Sequence, residues 1–243
     1  MKFLILQNQS KTNNAIILNA VFLVALLILG IANPMAIVFA YVFETLIIGL
    51  IHAVKLFYII RYDNEPGKIE KKLANFVSIF FFLIHYGFFV AIQSIFLYTA
   101  FAINDDRFST SLNPNNFLVI FNLEGFNLVA ISIIMMHFAE FYFNFILNKK
   151  YLNQNFGSYF SKPYLRIFIQ QFLAIIPFFF LFFTNKAGII AAFLLIIMRA
   201  VLDIYLNQIA KNPKLIKKLA QFLSKSKPEE LEKTEKIVTS FFD

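Results

Sequence analysis

The amino-acid sequence predicts an all-α, polytopic integral membrane bundle of six transmembrane helices with both termini in the cytoplasm. Three observations predict it. The chain is 59% hydrophobic with a mean hydropathy of +0.69. Only 15% of its residues are charged, where a soluble domain carries about a quarter. The apolar residues are gathered into six runs, each near the roughly 20 residues that a bilayer crossing requires.

The runs, in order, are residues 14–32, 35–60, 73–103, 127–147, 165–184 and 187–208. Asn33-Pro34 separates the first two and leaves room only for a tight turn. The first run follows a basic N-terminus and ends Gly30-Ile31-Ala32, which imitates a signal peptide, but its apolar stretch is long for one, so an uncleaved helix is expected. The loop after the third span contains Phe117-Leu118-Val119-Ile120-Phe121, too short to cross. It reads either as a re-entrant or interfacial lid or as a helical extension of the fourth span, and the extension is the simpler expectation. Pro177 should kink the fifth span, and Asn185-Lys186 turns the chain into the sixth. Residues 1–210 thus form the membrane domain and 211–243 a cytoplasmic tail. In that tail Leu215, Ile216, Leu219, Phe222 and Leu223 keep helical spacing, while Lys214, Lys217 and Lys218 take other faces. Such a basic amphipathic helix suits an anionic membrane surface, each basic residue adding about 1 kcal/mol. A short acidic helix should start at Pro228.

Charge sets the orientation. Eighteen Lys and Arg residues fall on the side of the termini, and two, Arg107 and Lys186, on the other. The positive-inside rule then places both termini in the cytoplasm, in the cytoplasmic (inner) membrane of a bacterium. Abundant Phe (34 residues) with no Trp fits AT-rich bacterial coding, and Tyr41, Tyr58, Tyr62, Tyr98 and Tyr142 take the interfacial places usually shared with Trp. With no cysteine, disulfides, thiolate catalysis, thiolate metal sites and c-type haem are excluded. No glycine-rich phosphate loop occurs and nothing points to nucleic acid; the expected partner is the lipid bilayer.

The candidate functional residues are the ionisable groups inside the apolar runs. A charge at the bilayer centre costs about 2.5–3.5 kcal/mol on the mildest scale, so it needs a partner, water or a metal. At a rise of about 1.5 Å per residue, Glu44, His85, His137, Glu140 and Arg199 fall near mid-membrane, with His52, Lys55 and Asp203 nearer the cytoplasm. His137 and Glu140 are three apart and Arg199 and Asp203 four apart, so each pair shares a helix face, the second as an ion pair.

Three chemistries fit this pattern. Glu44, His85, His137 and Asp203 could ligate a divalent transition metal such as zinc, with an activated water for hydrolysis; haem between the histidines is a lesser variant. The same groups could pass protons in a proton-coupled transporter or ion relay. Alternatively they form a hydrogen-bonded polar core that fixes helix register. Gly49 and Gly87 allow close helix approach beside them.

The residues also carry a resemblance. Glu44 to Gly49 with Lys55, His85-Tyr86-Gly87 with Phe89, His137 with Phe141, Tyr164-x-Arg166 and Arg199-x-x-x-Asp203 resemble the signatures of an uncharacterised bacterial integral membrane family. The resemblance covers roughly residues 35–210 and implies six helices without an assigned activity. It also implies a small polar residue at position 140, where this chain has Glu140, which makes Glu140 a local addition and leaves Glu44, His85, His137 and Asp203 as the shared set.

Overall fold

The computed structural model describes residues 2–63, 69–103, 105–160, 162–164, 187–224, 231, 234–235 and 238–239. Among these the chain is helices and turns with no strand. Four helices are long and apolar enough to cross a membrane: Pro34–Tyr62, Glu70–Ala102, Phe126–Ile146 and Gly188–Ile209. They match the second, third, fourth and sixth predicted runs. The fifth run, with Pro177 and Asn185-Lys186, lies outside the described residues. The chain divides into two compact units, Leu26–Leu195, and Met1–Ala25 together with Ile196–Asp243.

Helix α1 (Lys2–Ile28) includes the apolar stretch Ile16–Ile28, which lies within the predicted first run. It stops because Gly30 adopts φ +68°, and the amides of Gly30, Ile31 and Ala32 turn back to the carbonyls of Leu26 and Leu27. Asn33 then caps α2 (Pro34–Tyr62), its side chain accepting from the Met35 amide at 2.9 Å with Pro34 at the first helical position.

Within the larger unit α2 is the central helix. Protein covers 61% of its most apolar window, against 28% for α3 (Ile69–Ala102), so α2 is walled by neighbours and α3 keeps a broad apolar surface outward. Its neighbours include α3 and α5 (Phe126–Glu140). Gly49 is required on α2: any Cβ there would enter the ring of Tyr86 on α3. The Tyr86 hydroxyl donates to the Thr45 carbonyl at 2.9 Å, and the Thr45 hydroxyl donates to the Tyr41 carbonyl at 2.9 Å.

The Phe117–Phe121 run is not an extension of the fourth span. It forms a separate helix, α4 (Pro114–Phe121), capped by Asn113. The break is Gly125, left-handed at φ +76°, where a Cβ would lie 2.6 Å from Ala32 Cα. This turn clasps the one between α1 and α2, since the Asn33 amide donates to the Glu124 carbonyl at 2.9 Å. Beyond Glu140 the fourth span continues as a π-helix, Phe141–Ile146. Lys149 in the left-handed region ends it, a 3-10 turn (Lys150–Asn153) comes next, and α6 (Phe156–Phe160) packs on α2.

In the smaller unit, which takes in most of α7 (Ala187–Lys211), the Asn207 side chain donates to Asn13 Oδ1 at 2.6 Å. Helix α8 (Pro213–Leu223) has the amphipathic pattern foreseen, with Lys214, Lys217 and Lys218 exposed. Its apolar face is already covered: Ile216 and Ala220 are buried with Ile209 and Val238, and Leu215, Leu219 and Leu231 pack around them. Phe222 is left outside, 81% exposed. Pro228 lies outside the described residues.

Candidate functional site

Helix α2 carries Glu44 ten residues in from Pro34, and α5 carries His137 eleven in from Phe126, so each lies about 15 Å along its helix. The two helices pack directly, and Glu44 Oε1 meets His137 Nε2 at 2.7 Å. Both side chains are buried, at 4% and 7% exposure. The opposite ring nitrogen, Nδ1, faces Glu140 Oε2 at 3.9 Å, and Glu140 is 55% exposed. Carboxylate, imidazole and carboxylate therefore form a line from the core of the unit to its surface. One proton on the Glu44–His137 bond can rest as a neutral acid facing a neutral ring or as a carboxylate facing an imidazolium. Either arrangement avoids an unpaired buried charge.

Helix geometry explains why the line ends at Glu140. His137 and Glu140 are one turn apart on α5, and the ladder changes to π spacing at Phe141, with the Leu147 amide bonding the Tyr142 carbonyl at 2.9 Å. A π segment rotates the helix faces beyond it and frequently accompanies functional positions in helices.

His85 is placed elsewhere. Its Nδ1 lies 3.3 Å from the Tyr164 hydroxyl, and its ring is framed by Phe81, Phe89 and Tyr164 at centroid distances of 5.0–5.4 Å. Glu44 and His137 are thus brought together, and His85 has a different partner. Among the described residues no group of three His, Cys, Asp or Glu side chains could hold a metal ion. Asp203 belongs to the smaller unit, where Arg199 Nε lies 3.4 Å from its Oδ2.

A second layer lies two to three turns further along α2. His52 is buried, stacked on Tyr159 at 5.1 Å with the rings 2° from parallel, and touches Phe82. Its Nε2 has no hydrogen-bond partner among the described residues. Lys162 Nζ sits 4.5 Å from the centre of the Tyr159 ring, and Lys55 Nζ sits 5.7 Å from that of Phe145. These are cation–π distances, which let ammonium groups rest on aromatic surface. Burial, and then the nearby Glu140 carboxylate, push the Tyr159 phenol above its ordinary range.

Sequence reasoning did not single out Tyr159, the Tyr86–Thr45 link or the π segment. The segment Tyr151–Tyr164, dense in Tyr and Phe, was the available signal for the first.

The apolar helices of crossing length, two of which are joined by a buried acid–imidazole pair, are compatible with a membrane protein. The chain belongs to DUF6498, a family of unknown function whose match spans residues 6–225. Comparison with curated proteins found no match, and comparison with solved structures found none.

Proposed function

We propose that this protein is a cytoplasmic-membrane protein that moves protons through the Glu44–His137–Glu140 line, as a relay or as the proton-coupling element of a transporter. The observation that carries this reading is the buried 2.7 Å contact between Glu44 and His137. Imidazole exchanges protons near neutral pH, and a carboxylate on each side supplies a donor and an acceptor. The exposed Glu140 puts the outer end of the line on the surface of the larger unit. The topology that accompanies the proposal is six spans with both termini cytoplasmic, supported by the 18-to-2 distribution of basic residues.

The test uses the purified full chain in vesicles with an entrapped pH indicator and an imposed potassium diffusion potential. Wild type should carry a proton flux that Glu44→Gln and His137→Gln abolish and Glu140→Gln reduces. Infrared difference spectra across a pH step should contain a carboxylic-acid band that Glu44→Gln removes. No flux above that of empty vesicles, together with no such band, overturns the proposal. Metal binding, with Glu44 and His137 as two ligands and hydrolysis as its consequence, would replace it if the protein purified with stoichiometric zinc that His137→Ala loses.

A further inference from the structure

We infer that the half-open pocket lined by α2, α3, α4 and the start of α5 is a binding site for a single alkyl chain. Its volume is about 370 Å³, within the range of roughly 300–1,000 Å³ typical of small-molecule pockets. The wall is hydrocarbon: Phe43 and Leu46 from α2, Leu83 and Val90 from α3, and Phe117 and Ile120 from α4. The hydroxyls that reach it are already used inside the protein. Tyr86 donates to the Thr45 carbonyl, Ser94 donates to the Val90 carbonyl at 2.8 Å, and Tyr98 shares a hydrogen bond with Ser94. A polar solute would lose its water there and gain no partner, which is unfavourable. Water itself avoids apolar cavities. An extended hydrocarbon chain recovers the dispersion contacts that an empty space of this size forfeits.

Two local features support an occupant of this shape. Helix α4 places apolar side chains over the cavity because it is a separate helix, held by the buried Asn116. Gly87 also lines the cavity, and a Cβ built on it meets nothing within 4 Å, so the space beside it is open. Gly49, which also lines it, is by contrast filled by Tyr86. The site shares no residue with the Glu44–His137–Glu140 line and stands or falls separately from it.

The chain can come from a membrane phospholipid or from a free fatty acid, and photolabelling separates these sources. The full-length protein in phosphatidylethanolamine–phosphatidylglycerol vesicles is irradiated with palmitic acid bearing an aliphatic diazirine, or with a phospholipid carrying the same chain as an ester. Cross-links should concentrate on Leu83, Val90 and Phe117 and fall several-fold in Gly87→Leu, whose Cβ meets no atom within 4 Å and whose side chain extends into the open space. Labelling by the ester identifies a bilayer lipid as the source, and labelling by the acid alone identifies a free fatty acid. Ala91→Leu is the second plug if Gly87→Leu does not fold. Cross-links spread over the outward residues Ile84 and Phe88, and unchanged by a folded plug, overturn the assignment.

Discussion

Glu44 and His137 are buried and hydrogen-bonded to each other, which sets how they respond to substitution. Removing one partner breaks a buried hydrogen bond to a polar group that stays behind, a loss of about 1–3 kcal/mol, whereas removing both with apolar groups of similar shape is closer to neutral. Thermal unfolding in detergent should therefore show His137→Leu and Glu44→Leu each destabilising and the double variant less so than their sum. Additive losses would mean the pair is not coupled. Gly49 gives a second residue-scale expectation. Gly49→Ala drives a methyl into the Tyr86 ring, and such overpacking costs about 1–3 kcal/mol. In a Tyr86→Ala background Gly49→Ala should cost much less than in wild type; an undisturbed Gly49→Ala melting curve would contradict the close approach. What the sequence offered at this scale was an expectation of depth. The helical rise brought Glu44, His85 and His137 to one level, but rotation about the helix axis decides which meet, and that depends on packing. His85 turned toward Tyr164 because Phe81, Phe89 and Tyr164 built an aromatic frame around it.

At the scale of elements, the segment from Asp105 to Phe121 owes its form to polar side chains. Asn116 is fully buried, its Oδ1 accepting from the Ser109 amide at 2.8 Å and its Nδ2 donating to the Ser109 and Ser111 carbonyls at 2.9 Å. At about 1 kcal/mol per hydrogen bond, Asn116→Leu should lose roughly 2–3 kcal/mol and expose the 105–113 loop to protease. An intact loop in that variant would show that Asn116 does not hold α4. Nearby, the Arg107 guanidinium holds the Asp105 carboxyl below the ordinary carboxylate range, through hydrogen bonds of 2.9 and 2.6 Å. A depressed carboxyl stabilises the folded loop at pH above its unfolded value and loses that effect as pH falls through the folded value. Hydrogen exchange at the Arg107 amide, corrected for intrinsic rate, should be flat from neutrality down to about pH 4 and rise below it. The Asp105→Asn variant should exchange fast throughout. The α4 break was readable in part: Glu124-Gly125 is a turn signal, yet the apolar runs on both sides favoured one helix until the Ala32 contact demanded a residue without a Cβ.

At the scale of the whole molecule, the four crossing-length helices were legible because run length alone identifies them. The first run was expected to continue to Ala32, whereas α1 ends at Ile28, because composition does not register the left-handed turn at Gly30. The tail was read by its pattern, with the lysines outward, but pattern does not reveal that Ile209, Leu231 and Val238 cover its apolar face. Orientation is open to direct measurement because the chain has no cysteine. In intact cells a membrane-impermeant maleimide should label Asp106→Cys, and should label Lys218→Cys only after permeabilisation. The reverse pattern would overturn the inward placement of the termini.

The Glu44–His137 bond joins residues 93 positions apart, which has a consequence for the order in which the protein is made. Glu44 leaves the ribosome with α2 long before its imidazole exists. In the membrane reading proposed above, α2 enters the bilayer during that interval on the strength of its own leucine, isoleucine and phenylalanine content, before Glu44 has His137 beside it. The apolar excess of this helix, a mean hydropathy of 2.1 over its best window, is what lets an acidic residue wait for a partner that has not yet been synthesised.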